Sequence, residues 1–133
     1  MYDKINITEN NLQVLSLFTN GFDKEYYIRE VEKLLMISPR TAQLILEDLE
    51  NKSIIESKTR GKIKSYKLKI NYSSKRYLML VEQYKIISFI EKNLLVKEVI
   101  EKISPFIDGI GIIFGSYAKG TSNKESDLDI FIA

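Results

Sequence analysis

Residues 37–68 read ISPRTAQLILEDLENKSIIESKTRGKIKSYKL, and the periodicity changes once along them. Serine followed by proline starts a helix: Ser38 can cap free amides, and Pro39 occupies the first-turn position where a missing N–H costs nothing. Ala42, Ile45, Leu46 and Leu49 then recur at helical spacing on one face. Past Asn51 the period becomes two. Ile54–Lys58 and Ile63–Leu68 flank Thr59-Arg60-Gly61-Lys62, which predicts a β-hairpin with Gly61 at its tip.

Upstream of this stretch, Thr8 is a candidate N-cap for a helix carrying Leu12, Val14, Leu15, Leu17 and Phe18, which Asn20-Gly21 stops. Tyr26-Tyr27-Ile28 leads as a short strand into a short helix, with Val31, Leu34 and Leu35 expected to face inward. The hairpin itself is basic. Lys58, Arg60, Lys62 and Lys64 alternate through it, so a two-residue period predicts that several project from one side, toward a phosphate backbone. The competing reading is a charged edge that prevents sheet aggregation.

Helix, short strand, helix, tight turn, helix and hairpin, in that order, resemble a winged helix-turn-helix over residues 1–72. In that family the second helix of the motif enters the major groove, and residues near its N-terminus touch base edges. The resemblance therefore implies DNA contacts by Arg40, Thr41, Gln43 and Leu44, with Lys58, Arg60, Lys62 and Lys64 on the wing. Arginine can grip guanine, glutamine can grip adenine, and Leu44 can meet a thymine methyl. Glu47, Asp48 and Glu50, farther along the same helix, would repel phosphates and would equally suit a protein partner.

Composition bounds the rest. At 133 residues and 44% hydrophobic content the chain can build one ordinary domain or two small ones. It has no cysteine and no histidine, so any metal needs oxygen ligands. No basic-then-apolar leader opens it and no uncharged apolar run matches a bilayer, so a cytoplasmic location without membrane attachment is expected. The net charge is only +2, yet nine lysines and arginines lie between Lys52 and Arg76 against the single acid Glu56. Such a local excess suits a polyanion.

From about Ser74 to Asn93 a long helix is expected. Tyr77, Leu80, Val81, Tyr84 and Ile87 form one apolar stripe, and Met79, Ile86 and Ile90 form another. So broad a surface is expected to pack on two sides, either in a homodimer or as a bridge between two halves of one subunit (residues 73–93). A further amphipathic helix, from Leu94 to about Ser104, precedes breaks at Pro105 and Asp108-Gly109.

The apolar strand Ile110–Phe114 then enters GSYAKGTSNKESDLDIFIA, residues 115–133. A glycine there lets backbone amides approach a phosphate, and Ser116 adds a hydroxyl. In a returning strand Asp127 and Asp129, two apart, share a face while Leu128 and Ile130 turn to the other. Two adjacent carboxylates are best explained by a bridging Mg2+ shared with substrate phosphates.

This pattern resembles the nucleotidyltransferase superfamily typified by polymerase β, and especially its minimal members. The resemblance implies that Gly115 and Ser116 bind a nucleoside triphosphate, that Lys119 and Ser126 assist, and that Asp127 and Asp129 hold magnesium. The family's third carboxylate, on a later strand, has no counterpart before Ala133, so no catalytic set is complete. Residues 94–133 are expected to form a truncated unit, inactive in nucleotidyl transfer by itself.

The combined expectation is an α+β protein: a winged helix, a connecting helix and a partial nucleotidyltransferase-like unit. It would bind double-stranded DNA as a dimeric regulator. The alternative is a nucleotidyltransferase whose sequence continues, moving a nucleoside monophosphate onto a protein, small molecule or nucleic acid.

Overall fold

The computed structural model describes residues 4–109, 111–114, 116–121 and 128–132, and divides into two compact units, Met1–Ile86 and Ile87–Ala133.

In the first unit, Thr8 caps α1 (Glu9–Leu17) by accepting the Asn11 N–H at 3.2 Å, and a 3-10 turn, Phe18–Asn20, ends the helix. Strand β1 (Glu25–Tyr27) runs straight into α2 (Ile28–Leu35). Met36 then takes the left-handed conformation, φ 54°, which turns the chain toward α3 (Pro39–Asn51). Ser38 caps α3, its hydroxyl oxygen accepting the Thr41 N–H at 3.1 Å. The end of α3 is closed by Ser53 at φ 61°, with Ser53 N–H donating to Glu50 O and Ile54 N–H to Leu49 O. This is a Schellman cap built without glycine.

Strands β2 (Ile55–Arg60) and β3 (Ile63–Leu68) pair antiparallel from Ile55↔Leu68 to Arg60↔Ile63, leaving a two-residue turn at Gly61-Lys62. Gly61 has φ 63° and Lys62 is not left-handed, the pattern of a type II′ turn. β1 adds to the other edge of β3, giving the order β1-β3-β2.

One core joins these elements. Val14, Leu15, Phe18, Tyr26, Val31, Leu46, Leu49, Ile54, Ile55 and Tyr66 are essentially inaccessible, and Phe18 meets Tyr26 edge to face. Ile28, Val31 and Leu35 of α2 lie against or within it, but Leu34 is 57% exposed. Leu34 is thus not the inward residue its hydrophobicity suggests, because it falls to one side of that i, i+3, i+7 line.

Helix α4 (Tyr72–Lys92) begins at a reciprocal cap: Asn71 Oδ1 accepts from Ser74 N–H and Ser74 Oγ accepts from Asn71 N–H. Asn71 Nδ2 also donates to Ser53 O at 2.7 Å, which ties this helix start to the end of α3. Val81 enters the core with Tyr77 and Leu78 beside it. The expected stripe is therefore shifted: Leu78 packs and Leu80 does not. Met79, Leu80, Ile86 and Ile87 are all exposed, so packing on two sides is not seen within the described residues.

Tyr84 fastens α4 to α1, donating to Glu9 Oε1 at 2.8 Å and accepting from Gln13 Nε2 at 3.2 Å. Partial burial raises the Tyr84 pKa; Gln13 opposes the shift and Glu9 adds to it.

The second unit contains α5 (Leu94–Ile103), a 3-10 turn at Ser104–Phe106, β4 (Gly111–Phe114), α6 (Ser116–Lys119) and β5 (Asp129–Ile132). β4 and β5 form a two-stranded antiparallel sheet. Ile100, Ile103, Ile107 and Ile130 line an apolar groove here.

Candidate nucleic-acid interface

On α3 the buried line Ala42, Ile45, Leu46 and Leu49 leaves Arg40, Gln43, Leu44 and Glu47 on the opposite side. Arg40 is exposed and makes no ion pair or hydrogen bond among the described residues; Leu44 is exposed beside it. Thr41 is half-buried and held by Ser38, with their hydroxyls 2.8 Å apart. Gln43 Nε2 donates to Glu47 Oε1 at 3.1 Å, which leaves its second N–H and its Oε1 for a base edge.

The acids that the sequence placed in opposition to DNA are partly neutralised. Asp48 accepts from Lys52 at 2.8 Å and from Asn11 at 3.2 Å. Glu50 Oε1 lies 3.8 Å from Lys64 Nζ. Of the three, Glu47 alone faces solvent without a cation among the described residues.

The register sorts the hairpin. Lys58 and Arg60 stand opposite Ser65 and Ile63 and so share one face, whereas Lys64 stands opposite Thr59 on the other. Four alternating cations therefore do not make one row. The reason is parity: the two-residue turn makes 60 and 63 partners, so even positions on β2 face with odd positions on β3. Lys58, Arg60 and Lys62 are exposed and without an acidic partner among the described residues, while Lys52, Lys64 and Lys67 are each paired with a carboxylate.

The sequence reading passed over two cations on α2. Arg29 and Lys33 are both exposed and lie one turn apart, on the side away from Val31 and Leu35. The i, i+4 spacing on a helix that packs against α3 was the available signal.

In the second unit, Phe114 pairs with Asp129, so β5 brings Asp129 beside the strand end that leads into α6. Ser116 opens α6 and Lys119 closes it, exposed. Gly115, Ser126 and Asp127 lie outside the described residues. Among the described residues no three acidic side chains gather as a metal site. The donor chemistry nevertheless fits Mg2+, which binds one or two carboxylates together with substrate phosphates.

A winged helix-turn-helix is the class of protein that α1 to β3, residues 9–68, define: three helices, a three-stranded sheet and a basic hairpin. Solved structures with this fold include the adhesin competence repressor AdcR of Streptococcus pyogenes, at 13% identity and TM-score 0.55, covering 75% of this chain and 78% of that one. A MarR-family transcriptional regulator from a Rhodococcus species is similar at 10% identity and TM-score 0.54, over 75% and 74% of the two chains. Sco5413, a MarR-family transcriptional regulator from Streptomyces coelicolor, is similar at 12% identity and TM-score 0.52, over 75% and 72%. The family described as "Nucleotidyltransferase domain" matches residues 94–133. Comparison with curated proteins gives no match. The α+β chain thus joins a winged-helix fold to a segment matching the nucleotidyltransferase domain, and no described helix is long and apolar enough to cross a membrane.

Proposed function

We propose that this chain is a DNA-binding winged-helix protein of the cytoplasm, a transcriptional regulator carrying a nucleotidyltransferase-like segment. Residues 1–72 read DNA, 73–93 connect or dimerise, and 94–133 form the appended segment. The observation that carries this reading is the sorting of charge in the first unit. Arg40, Lys58, Arg60 and Lys62 stand exposed without acidic partners among the described residues, on the two elements that a winged helix uses, while neighbouring cations are neutralised.

The first turns of α3 enter the major groove, where Arg40, Gln43 and Leu44 read base edges and Thr41 supports the helix start. The Gly61-Lys62 turn and its flanking Lys58 and Arg60 hold phosphates, as do Arg29 and Lys33 on α2. A homodimer would present two such units to one duplex, and the exposed Met79, Leu80 and Ile86 on α4 supply apolar surface for it.

Fluorescence anisotropy with a labelled duplex across a salt series tests this. Arg60→Ala with Lys62→Ala should weaken binding to every sequence and lower the salt slope by about 2. Arg40→Ala should relax sequence preference instead. Unchanged affinity in both variants would remove the DNA reading.

The register Phe114↔Asp129 favours a second activity for the appended segment: magnesium-dependent binding of a nucleoside triphosphate, and transfer of its nucleoside monophosphate where the catalytic set is complete. Asp129, with Asp127, would hold the metal. Gly115, Ser116, Lys119 and Ser126 would hold the phosphates. Calorimetry with a nucleoside triphosphate and Mg2+ should show binding that Asp127→Ala with Asp129→Ala abolishes; binding retained in the double variant would reject this site.

A further inference from the structure

Lys64 belongs by sequence to the wing's row of cations and by structure to a different contact. Its side chain lies on the face of β3 shared with Tyr66 and Leu68, both buried, and opposite the face of Lys58 and Arg60. Its Nζ is 3.8 Å from Glu50 Oε1 and 5.4 Å from the centre of the Tyr66 ring. Among the described residues this is the one ion pair joining the hairpin to α3. The second oxygen of Glu50, Oε2, is buried and has no hydrogen-bond partner among the described residues. The Glu50 side chain is 32% exposed, and the ammonium of Lys64 is the charge that opposes its carboxylate on the buried side.

Between this contact and the turn, Thr59, Arg60, Gly61, Lys62 and Ile63 are all exposed. No buried side chain lies on the hairpin's outer half, so among the described residues the Lys64–Glu50 pair is its outermost anchor on α3.

We propose that Lys64 and Glu50 form a strut that sets the wing's angle to the reading helix. Lys64 is a positioning residue and takes no phosphate, a conclusion that rests on the DNA-binding reading above. Phosphate contact would require Lys64 to leave Glu50, whose Oε2 is buried, without its opposing charge. The strut instead aligns Arg60 and Lys62 with the backbone while Arg40 lies in the groove.

The test is the affinity of a fluorescein-labelled random-sequence duplex against salt for Lys64→Ala, Lys64→Glu, Glu50→Lys and the exchanged pair Glu50→Lys/Lys64→Glu, with Arg60→Ala as reference. Arg60→Ala should lower the salt slope by about 0.9, the loss of one phosphate contact. Lys64→Ala should weaken binding by about fivefold with the slope unchanged, and the exchanged pair should return to within about threefold of the parent. A slope lowered as in Arg60→Ala, or an exchanged pair no tighter than Lys64→Glu alone, overturns the strut. If Arg60→Ala leaves binding untouched, the DNA reading itself has failed. Residual dipolar couplings of β2–β3 relative to α3 then decide: reorientation in Lys64→Ala sustains the strut, and identical couplings reject it.

Discussion

The first unit closes a core from short elements, each presenting one apolar face to the next, whereas the second presents a two-stranded sheet and one fully buried hydrophobic side chain, Val96, among its described residues. Two paired strands are marginal in water without a covering layer. The difference teaches that the two halves announce themselves differently. Periodic burial identifies the first as a folded body; a short chemical motif identifies the second.

The comparison would be broken most directly in the cores. Leu46 is fully buried in the first unit, and Leu46→Ala should cost about 2–5 kcal/mol in urea unfolding. Val96→Ala should leave the unfolding of the first unit, followed by Tyr26 resonances, unchanged. If both substitutions lower that transition equally, the units are one cooperative body.

A smaller effect sharpens the same contrast. Ser53 and Met36 are the two non-glycine residues in left-handed conformation among those described, and both end helices of the first unit. Ser53→Gly should raise its stability by about 0.5–1 kcal/mol by relieving that backbone cost. No gain, or a loss, would mean that the serine side chain stabilises the cap.

The smallest expected effect is alkaline. The Tyr84 pKa is raised in the folded state, so its contribution is complete below the ordinary tyrosine value and is lost as pH climbs past about 10 through the raised folded value. Ionisation removes the proton donated to Glu9 and sets two anions together. Tyr84→Phe should flatten this alkaline fall in the melting temperature. An unchanged fall assigns it to other groups.

Much of the first unit was legible because each signal had a local cause: Thr8 and Ser38 cap helices, Gly61 makes the turn, and helical spacing picks out Ala42, Ile45, Leu46 and Leu49. What was not legible depends on partners distant in sequence. Leu34 and Leu80 are hydrophobic and exposed because tertiary packing selects Leu35 and Leu78. The split of Lys64 from Lys58 and Arg60 follows from the hairpin register, which a basic alternation does not state. Asp48, paired with Lys52 one turn on, also accepts a hydrogen bond from Asn11, 37 residues away in sequence. In the second unit the pairing of Phe114 with Asp129 agrees with the strand–turn–strand reading, while Gly115, Ser126 and Asp127 fall outside the described residues.

The central claim is that DNA is held by the first unit through α3 and the β2–β3 turn. A 1H–15N correlation titration of the whole chain with duplex DNA tests it most directly. The expected result is that amide shifts concentrate at residues 40–44 and 58–63, with those of α5 unmoved. Shifts confined to α5 and the strands after it, with residues 40–44 and 58–63 silent, would contradict it.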